Sequence, residues 1–353
     1  MPPVMQLIAP LADGPIDIVG DIHGEIDALR QLLAHLGYDP RGEHRAGRRL
    51  VFVGDLCDRG SDSPAVVGFV SSLVGCGRAQ CVLGNHELNL LRQEHKEGNG
   101  WYFAENHDLD EDRFVDSKPL AAADRAAVDA FLAGLPLALE RRDLRLVHAA
   151  WHQPSIEAVR SSRSSVLELY DHYEGLTRGQ TLDTGLTARA EAELAPYESL
   201  LRNPSADVPL LPNAARLDEL IQVNNPVRVI TSGIERVAQN SFFASGKWRM
   251  VNRIAWWNAY EEATPVIFGH YWRWPSANSR DLHSRGEPDL FIPAESHHWL
   301  GPKRNTYCVD FAVGARYKER ARNPGGESDL RLGAVRWPEM EVVFDHGHRF
   351  RLV

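Results

Sequence analysis

Three short apolar runs in the first quarter of the chain each end in a glycine followed by a polar residue. The runs cover residues 15–19, 50–53 and 80–83, and they end at Gly20-Asp21, Gly54-Asp55 and Gly84-Asn85. Between the first two runs, leucines and isoleucines recur every three or four residues up to Gly37, which predicts a helix. Pro64 marks the start of a second helix. This alternation predicts parallel strands whose polar loops meet at one sheet edge, where such sheets bind ligands.

The rest of the chain alternates less regularly. A helix is predicted over 121–135, and residues 152–263 are helix-like and polar. The charged segment 318–328 contains Pro324-Gly325-Gly326, which predicts a loop. Further short apolar runs predict strands at 144–147, 227–230, 266–268, 306–309, 330–335 and 342–344.

Composition narrows the class of protein. The chain has 353 residues, 43% hydrophobic and 25% charged, so it can bury a large core. Its net charge of −9 argues against a wide surface for nucleic acid, which needs excess Lys and Arg. No apolar run approaches the ~18 residues that cross a bilayer, and no secretory signal is evident. The four cysteines form no CxxC pair, so we expect reduced thiols in a cytoplasmic protein with neither nucleic acid nor membrane as a partner.

Polar clusters that follow apolar runs carry the candidate chemistry. They offer carboxylates, imidazoles and one amide, a ligand set suited to Mn²⁺, Fe, Zn²⁺ or Mg²⁺. In an extended segment, the two polar side chains of an Asp-x-His sequence point to the same side. The clusters are Asp21-Ile22-His23-Gly24, Gly54-Asp55-Leu56-Cys57-Asp58-Arg59-Gly60, Gly84-Asn85-His86-Glu87, Val147-His148 and Gly269-His270.

This ordered set resembles the calcineurin-like metallophosphoesterases, and within them the branch of phosphoprotein phosphatases and diadenosine tetraphosphatases. The Asp58-Arg59-Gly60 sequence after the second acidic residue is the hallmark of that branch. The resemblance implies an α/β fold, a four-layer αββα sandwich with two packed mixed sheets. It also implies one catalytic domain over residues 1–353. The long stretch 152–264 between two ligand histidines is expected to be a helical cap inserted in that domain.

The resemblance also implies a role for each motif residue. Asp21 and His23 would hold a first metal ion, and Asp55 would bridge to a second. The second metal ion would be completed by Asn85, His148 and His270. The general acid would be His86, oriented by Asp58, with Arg59 on the phosphate oxygens. A second phosphate-binding arginine is expected between the last two histidine ligands, and Arg249 and Arg253 are both candidates.

The resemblance therefore implies a phosphoesterase that would use two divalent ions, Mn²⁺ first among them, to activate water. Two cations that share a carboxylate lie about 3.5–4 Å apart and clamp an in-line phosphoryl displacement. Phosphoproteins, dinucleoside polyphosphates and smaller phosphoesters all remain open as substrates. The alternative is an inactive metal-bound scaffold that binds phosphorylated partners through the cap. Whether the cap contacts substrate or only packs is open, and residues 94–117, with Trp101-Tyr102-Phe103, are expected to line the entrance to the site.

Overall fold

The computed structural model describes residues 6–105, 110, 113–114, 116–244, 246–275, 289–322 and 325–353. The strands are β1 (Ile8–Pro10), β2 (Ile16–Val19), β3 (Arg49–Phe52), β4 (Ala79–Cys81), β5 (Ala138–Arg141), β6 (Leu144–Val147), β7 (Glu235–Ala244), β8 (Lys247–Arg253), β9 (Val266–Phe268), β10 (Thr306–Cys308), β11 (Gly333–Trp337), β12 (Glu341–Phe344) and β13 (Arg349–Arg351). The α-helices are α1 (Ile26–Leu36), α2 (Ser63–Gly75), α3 (Asn85–Leu91), α4 (Arg125–Ala133), α5 (Gln153–Arg160), α6 (Val166–Asp183), α7 (Leu186–Leu194), α8 (Pro212–Val223), α9 (Pro226–Ser232) and α10 (Arg316–Arg322).

Two mixed sheets form the centre of the molecule. The first sheet has the order β13-β12-β11-β2-β3-β4, and the second has the order β1-β5-β6-β9-β10. In the first sheet β2, β3 and β4 run parallel, while β11 pairs antiparallel with β2. In the second sheet β6, β9 and β10 run parallel, while β5 pairs antiparallel with β6. The parallel strands of both sheets carry the loops that form the site.

The two sheets pack face to face, with helices on their outer faces. Ile18 and Val51 of the first sheet lie in one apolar cluster with Leu146 and Ile267 of the second, and all four are fully buried. Because alternate strand residues point to opposite faces, neighbours such as Phe52 face outward onto helices. Helices α1 and α2 cover the first sheet, and α5 with α9 covers the second. This arrangement confirms the predicted αββα sandwich.

The strand predicted at residues 227–230 is wrong, because this segment lies in helix α9. The Asn225 side chain accepts hydrogen bonds from the backbone N–H groups of Val227 at 3.1 Å and Arg228 at 3.4 Å. Pro226 occupies the first helical position, where its missing N–H costs nothing. The helix start therefore overrides the strand preference of the β-branched residues that follow.

The loop predicted over 318–328 is also wrong in its first part. Helix α10 continues to Arg322, and residues 323–324 lie outside the described chain. Arg320 Nη1 donates to Glu25 Oε1 at 2.7 Å, and Arg316 binds Asp345, so tertiary ion pairs hold the helix. The charged residues and Pro324-Gly325-Gly326 indicated a loop, and the distant carboxylates supply the stabilisation that the local sequence lacks.

The described part of the stretch 152–264 contains five α-helices, α5 to α9, and then the antiparallel hairpin β7–β8. It is therefore helical only in part, and both candidate arginines lie on strand β8. A small apolar cluster joins α7 and α8 to the hairpin through Ala190, Ala215 and Met250. No α-helix in the described part of the chain has the length and apolarity needed to span a membrane.

A buried ion-pair network fixes the middle of strand β2. Asp17 is fully buried, and its carboxylate accepts from Arg48 Nε and Nη2, each at 2.8 Å. Tyr38 Oη donates to the same carboxylate at 2.7 Å, and Arg336 Nε donates at 3.1 Å. Because burial would otherwise disfavour this charge, the donors around it are needed to keep β2 in place.

We expect Arg48→Met to lower the free energy of unfolding by about 3 kcal/mol, since removing one partner leaves a buried carboxylate undercompensated. Urea unfolding followed by circular dichroism measures the change. The matched control is Arg30→Met, because Arg30 pairs with Asp27 in solvent and its loss should cost about 0.5 kcal/mol or less. Equal effects of the two substitutions would contradict a stabilising role for the network.

Candidate metal centre and active site

The ends of five strands bring the predicted ligands to one place. Strands β2, β3 and β4 end just before Gly20-Asp21, Gly54-Asp55 and Gly84-Asn85, while β6 and β9 end before His148 and Gly269-His270. All the predicted carboxylate and imidazole ligands are buried. The site therefore lies across the edge of both sheets, which is why residues almost 250 positions apart in sequence meet there.

Asp55 is the centre of the cluster. His23 Nε2 lies 3.7 Å from Asp55 Oδ2, and His148 Nε2 lies 3.3 Å from Asp55 Oδ1. Asn85 Oδ1 lies 3.2 Å from His148 Nε2. Ligand atoms of Asp55, His148 and His270 all lie within 4.8 Å of one another. His23, Asp55 and His86 form a second group of the same size, so Asp55 belongs to both groups.

Asp21 is held beside this cluster by the backbone. Its two carboxylate oxygens accept from the His270 N–H at 3.2 and 3.0 Å. A Cβ at Gly269 would lie 2.1 Å from Asp21 Oδ1, and one at Gly84 would lie 2.3 Å from Asp55 Oδ1. Glycine is therefore required at both positions so that the backbone can approach the carboxylates. The structure thus brings all six predicted ligands together.

Backbone carbonyls orient two of the imidazoles. His23 Nδ1 donates to the Cys57 carbonyl at 3.0 Å, and His148 Nδ1 donates to the Val53 carbonyl at 2.7 Å. With the proton on Nδ1, the Nε2 lone pair of each ring faces Asp55. Such hydrogen bonds from the far ring nitrogen are typical of histidines that bind metal.

The electrostatics of the cluster fit divalent cations. Burial, followed by the charges of Asp310 and Asp55, raises the pKa of Asp21 well above its usual range. Burial likewise raises the pKa of Asp310 to about 6. His270 Nε2 and Asp310 Oδ2 are buried without a hydrogen-bond partner. Gathered carboxylates and an unpaired imidazole nitrogen are costly in a low-dielectric site, and a bound cation relieves both costs.

The cluster also shifts the pKa of its central groups. Burial disfavours the charged form of Asp55, but the nearby imidazoles, His148 first, hold the pKa of Asp55 well below its usual range. Burial, together with Arg59, lowers the pKa of His23, and burial with Arg253 lowers that of His270. Both rings are therefore kept neutral, which is the form of histidine that binds metal.

Glu87 and Asp310 are two residues to which the sequence analysis assigned no role. The Glu87 carboxylate accepts from the backbone N–H groups of Asp55 at 2.9 Å and Gly84 at 3.1 Å, so it ties two ligand loops together. Asp310 follows strand β10 by two residues, and its Oδ1 accepts from the Ala312 N–H at 2.9 Å. The rule that polar residues after buried strands form the site, applied to 306–309, would have found Asp310.

His86 is held by a carboxylate on its far side. His86 Nδ1 lies 2.6 Å from Asp58 Oδ2, and the opposite nitrogen, Nε2, lies 3.9 Å from Asp55 Oδ2. Arg59 donates from Nη2 to His86 Nε2 at 3.0 Å and from Nη1 to His23 Nε2 at 3.2 Å. Asp58 and Arg59 both adopt the left-handed backbone region, with φ of 72° and 69°. Strain of this kind, about 1–3 kcal/mol per residue, is characteristic of functional sites.

The two candidate arginines have different neighbours on strand β8. The guanidinium of Arg253 lies 5.9 Å from the ring centroid of Tyr271, the neighbour of His270. Arg249 lies four residues away on the same strand and pairs with Phe242 across the hairpin. The geometry therefore favours Arg253 for contact with a phosphate at the metal centre.

The described residues of the tract 94–117 include buried aromatic side chains beside the loop of Asp58 and Arg59. Trp101 and Phe103 are each only 2% exposed, and Trp101 Nε1 donates to Asp58 Oδ1 at 2.6 Å. The Gly98 carbonyl accepts from the Arg59 N–H at 3.2 Å. Residues 106–109, 111–112 and 115 of the tract lie outside the described chain.

Residues 14–174 match the family described as calcineurin-like phosphoesterase. This segment contains every predicted site residue from Asp21 to His148. The match confirms the resemblance carried by the ordered motifs, and we conclude that this segment belongs to the calcineurin-like phosphoesterase family.

Two kinds of curated relative share a short segment with the chain. An asymmetrical bis(5'-nucleosyl)-tetraphosphatase PrpE from Oceanobacillus iheyensis is 44% identical over 80 residues, which is 22% of this chain and 32% of the relative. A symmetrical bis(5'-nucleosyl)-tetraphosphatase from a Marinomonas species is 38% identical over 81 residues, covering 23% of this chain and 27% of the relative. The chain therefore spans about a third of the length of the curated relatives it matches.

Among solved structures, a cold-active protein-tyrosine phosphatase of a psychrophilic Shewanella species aligns with 99% of this chain and 84% of its own, at 16% identity and a TM-score of 0.47. A putative diadenosine tetraphosphatase aligns with 97% of this chain and 95% of its own, at 18% identity and a TM-score of 0.39.

We expect His148→Ala to reduce the bound divalent metal from about two ions per chain to about one, because His148 Nε2 faces both Asn85 and Asp55. Elemental analysis of protein loaded with Mn²⁺ and then desalted measures the ratio. His35→Ala, at an exposed position on α1, is the control and should keep the wild-type ratio. Full metal content in His148→Ala would remove this residue from the ligand set.

Proposed function

We propose that the protein is a divalent-metal-dependent phosphoric ester hydrolase. The observation that carries this proposal is the pair of residue groups that share Asp55, one of which includes His86, whose Nδ1 lies against Asp58. Asp21, His23 and Asp55 would hold one cation, and Asp55, Asn85, His148 and His270 would hold the other. When bound, such a pair supplies an activated water and neutralises charge on the phosphate. We propose Mn²⁺ as the ion, on the strength of the mixed oxygen and imidazole donors.

In this proposal the protein side chains bind the phosphate and donate one proton to the leaving oxygen. Arg59 and Arg253 would pair with phosphate oxygens from opposite sides of the centre. Arg59 contacts His86 Nε2 in this structure, so a phosphate that pairs with Arg59 would free that nitrogen. His86 Nε2 would then donate a proton to the leaving oxygen as its bond to phosphorus breaks, while Asp58 stabilises the charged ring. The stretch 152–264 would contribute to substrate binding through Arg253.

The substrate class that we propose is a phosphoanhydride or phosphomonoester, with dinucleoside polyphosphates first. The names of the curated relatives support this choice, because they act as bis(5'-nucleosyl)-tetraphosphatases. Phosphoproteins remain a second candidate from the motif resemblance. The four cysteines are free, in keeping with the proposed cytoplasmic location.

An inactive scaffold that binds phosphorylated partners is the alternative. A scaffold has no need for a general acid, yet Asp58, Arg59 and His86 are all present and in contact. That intact catalytic arrangement favours the enzyme, and a turnover assay separates the two candidates, because a scaffold would bind a phosphopeptide without hydrolysing it.

We expect chelation to abolish hydrolysis of both diadenosine tetraphosphate and p-nitrophenyl phosphate, and added Mn²⁺ to restore it, because water activation depends on the cations. Release of phosphate and nucleotide over a metal titration measures the effect. Asp55→Asn should remain inactive after Mn²⁺ is added, whereas Asp27→Asn, an exposed change on α1, should behave as wild type.

Activity that survives chelation, or that Asp55→Asn retains, would contradict the metal-dependent mechanism. A phosphopeptide added to the same assay ranks the substrate classes. We expect the dinucleoside tetraphosphate to give the higher kcat/KM, and the reverse order would favour the phosphoprotein candidate.

We expect His86→Asn to lower kcat on an alkyl phosphate by about 10²- to 10⁴-fold, since the leaving alkoxide would lose its proton donor. Metal content should stay unchanged, because His86 is not among the six ligands that we propose. Steady-state kinetics paired with elemental analysis provides the test, and a normal kcat in metal-loaded His86→Asn would remove His86 as the acid.

A further inference from the structure

The indole of Trp101 contacts the carboxylate that orients the proposed acid. Trp101 Nε1 donates to Asp58 Oδ1 at 2.6 Å, and His86 Nδ1 lies 2.6 Å from the other oxygen, Oδ2. Asp58 is fully buried, and Trp101 is 2% exposed. Each carboxylate oxygen therefore has its own side-chain donor, and the two donors together fix the plane of the carboxylate.

The indole is held in place by contacts that do not involve Asp58. The Trp101 carbonyl accepts from the Leu120 N–H at 2.6 Å. The Asp110 carboxylate accepts from the backbone N–H groups of Gly98 and Gly100, the latter at 2.7 Å, and so braces the turn before Trp101. Because these hydrogen bonds do not involve Asp58 or His86, they hold the indole in a position that can orient the Asp58 carboxylate.

The turn before Trp101 also contacts Arg59, the residue that follows Asp58. The Gly98 carbonyl accepts from the Arg59 N–H, and a Cβ at Gly98 would lie 3.1 Å from Arg59 Cγ. Gly98 has a φ of +92°, a conformation that favours glycine. The tract thus holds both Asp58 and Arg59, whose strained backbone needs support from the surrounding structure.

We propose that Trp101 is a positioning residue for the proton transfer by His86, acting through Asp58. The proposal rests on the proposed function, in which His86 is the general acid. In that step the bond between phosphorus and the leaving oxygen breaks, its electron pair stays on the leaving oxygen, and that oxygen takes the proton from His86 Nε2. Water supplies the new oxygen on phosphorus and releases a proton to solvent.

The role of Trp101 is to restrict the rotation of Asp58. Without the indole N–H, Asp58 Oδ1 would be a buried oxygen without this donor, and the carboxylate could turn toward other donors. The His86 ring would follow it, and Nε2 would lose its alignment with the leaving oxygen. Small misplacements of an acid are costly because proton transfer needs hydrogen-bond geometry.

The test compares two substrates that differ in their need for an acid. p-Nitrophenyl phosphate releases a weakly basic phenolate, which leaves without protonation, whereas phenyl phosphate releases a more basic one. We expect Trp101→Phe to lower kcat on phenyl phosphate at least tenfold more than on p-nitrophenyl phosphate, with KM little changed. The matched control is Trp256→Phe, which removes another buried indole, one that donates to the Ala149 carbonyl at 2.9 Å. Its effect should be equal on the two substrates.

A second variant separates hydrogen bonding from packing. In Trp101→His the ring atoms Cγ, Cδ2 and Nε2 can overlay Cγ, Cδ1 and Nε1 of the indole, so the donor is kept while more apolar volume is lost than in Trp101→Phe. A positioning role predicts that the histidine variant keeps more activity on phenyl phosphate, and a packing role predicts the opposite order.

Equal losses on the two substrates in Trp101→Phe would overturn the proposal. So would the failure of both Trp101 variants to fold when Trp256→Phe folds, because that result assigns the ring a packing role. His86→Asn provides the remaining comparison. If His86→Asn lowers kcat equally on the two substrates, His86 is not the acid. If His86→Asn lowers kcat more on phenyl phosphate but Trp101→Phe does not, only the positioning role of Trp101 is contradicted.

Discussion

The need to neutralise several buried carboxylates at one point is the constraint on which this structure depends. Asp21, Asp55 and Asp310 approach one another where water is excluded, and burial raises the pKa of Asp21 and Asp310. Imidazoles that surround Asp55 offset part of the cost. Bound cations would offset the rest, and the unpaired nitrogen of His270 is available as a ligand atom. The chemistry proposed for the site thus follows from its electrostatics.

The architecture of two packed sheets is what makes this approach possible. Ligands come from both sheets, so the sheets must keep a fixed relation, and a common apolar core between them ensures it. Glycines at 84 and 269 let backbone and carboxylate come closer than any side chain would permit. Glu87 then joins the loops after β3 and β4. Packing, close approach and hydrogen bonding therefore act together to hold the ligand geometry.

Around this centre, segments outside the family motifs lie against residues of the candidate site. The hairpin β7–β8 brings Arg253 beside His270, while the tract that contains Trp101 packs on the loop of Asp58 and Arg59. The sequence of neither segment has a periodic pattern that predicts which site residues it contacts. Each segment interacts with the candidate site through one or two of its side chains.

The local sequence determined the strands β2, β3, β4, β6 and β9 and the order of the ligand motifs. Buried strands need apolar runs and tight turns, and ligands need specific residue types, so both leave a signature along the chain. Tertiary structure decided what had no local cause. Helix α9 is not such a case, because the adjacent Asn225 and Pro226 start it. The distant Glu25, by contrast, holds Arg320 in a helix where the local sequence had indicated a loop. The contact between Trp101 and Asp58, and the position of Arg253 beside Tyr271, likewise depend on distances between segments far apart in sequence, which no local pattern encodes.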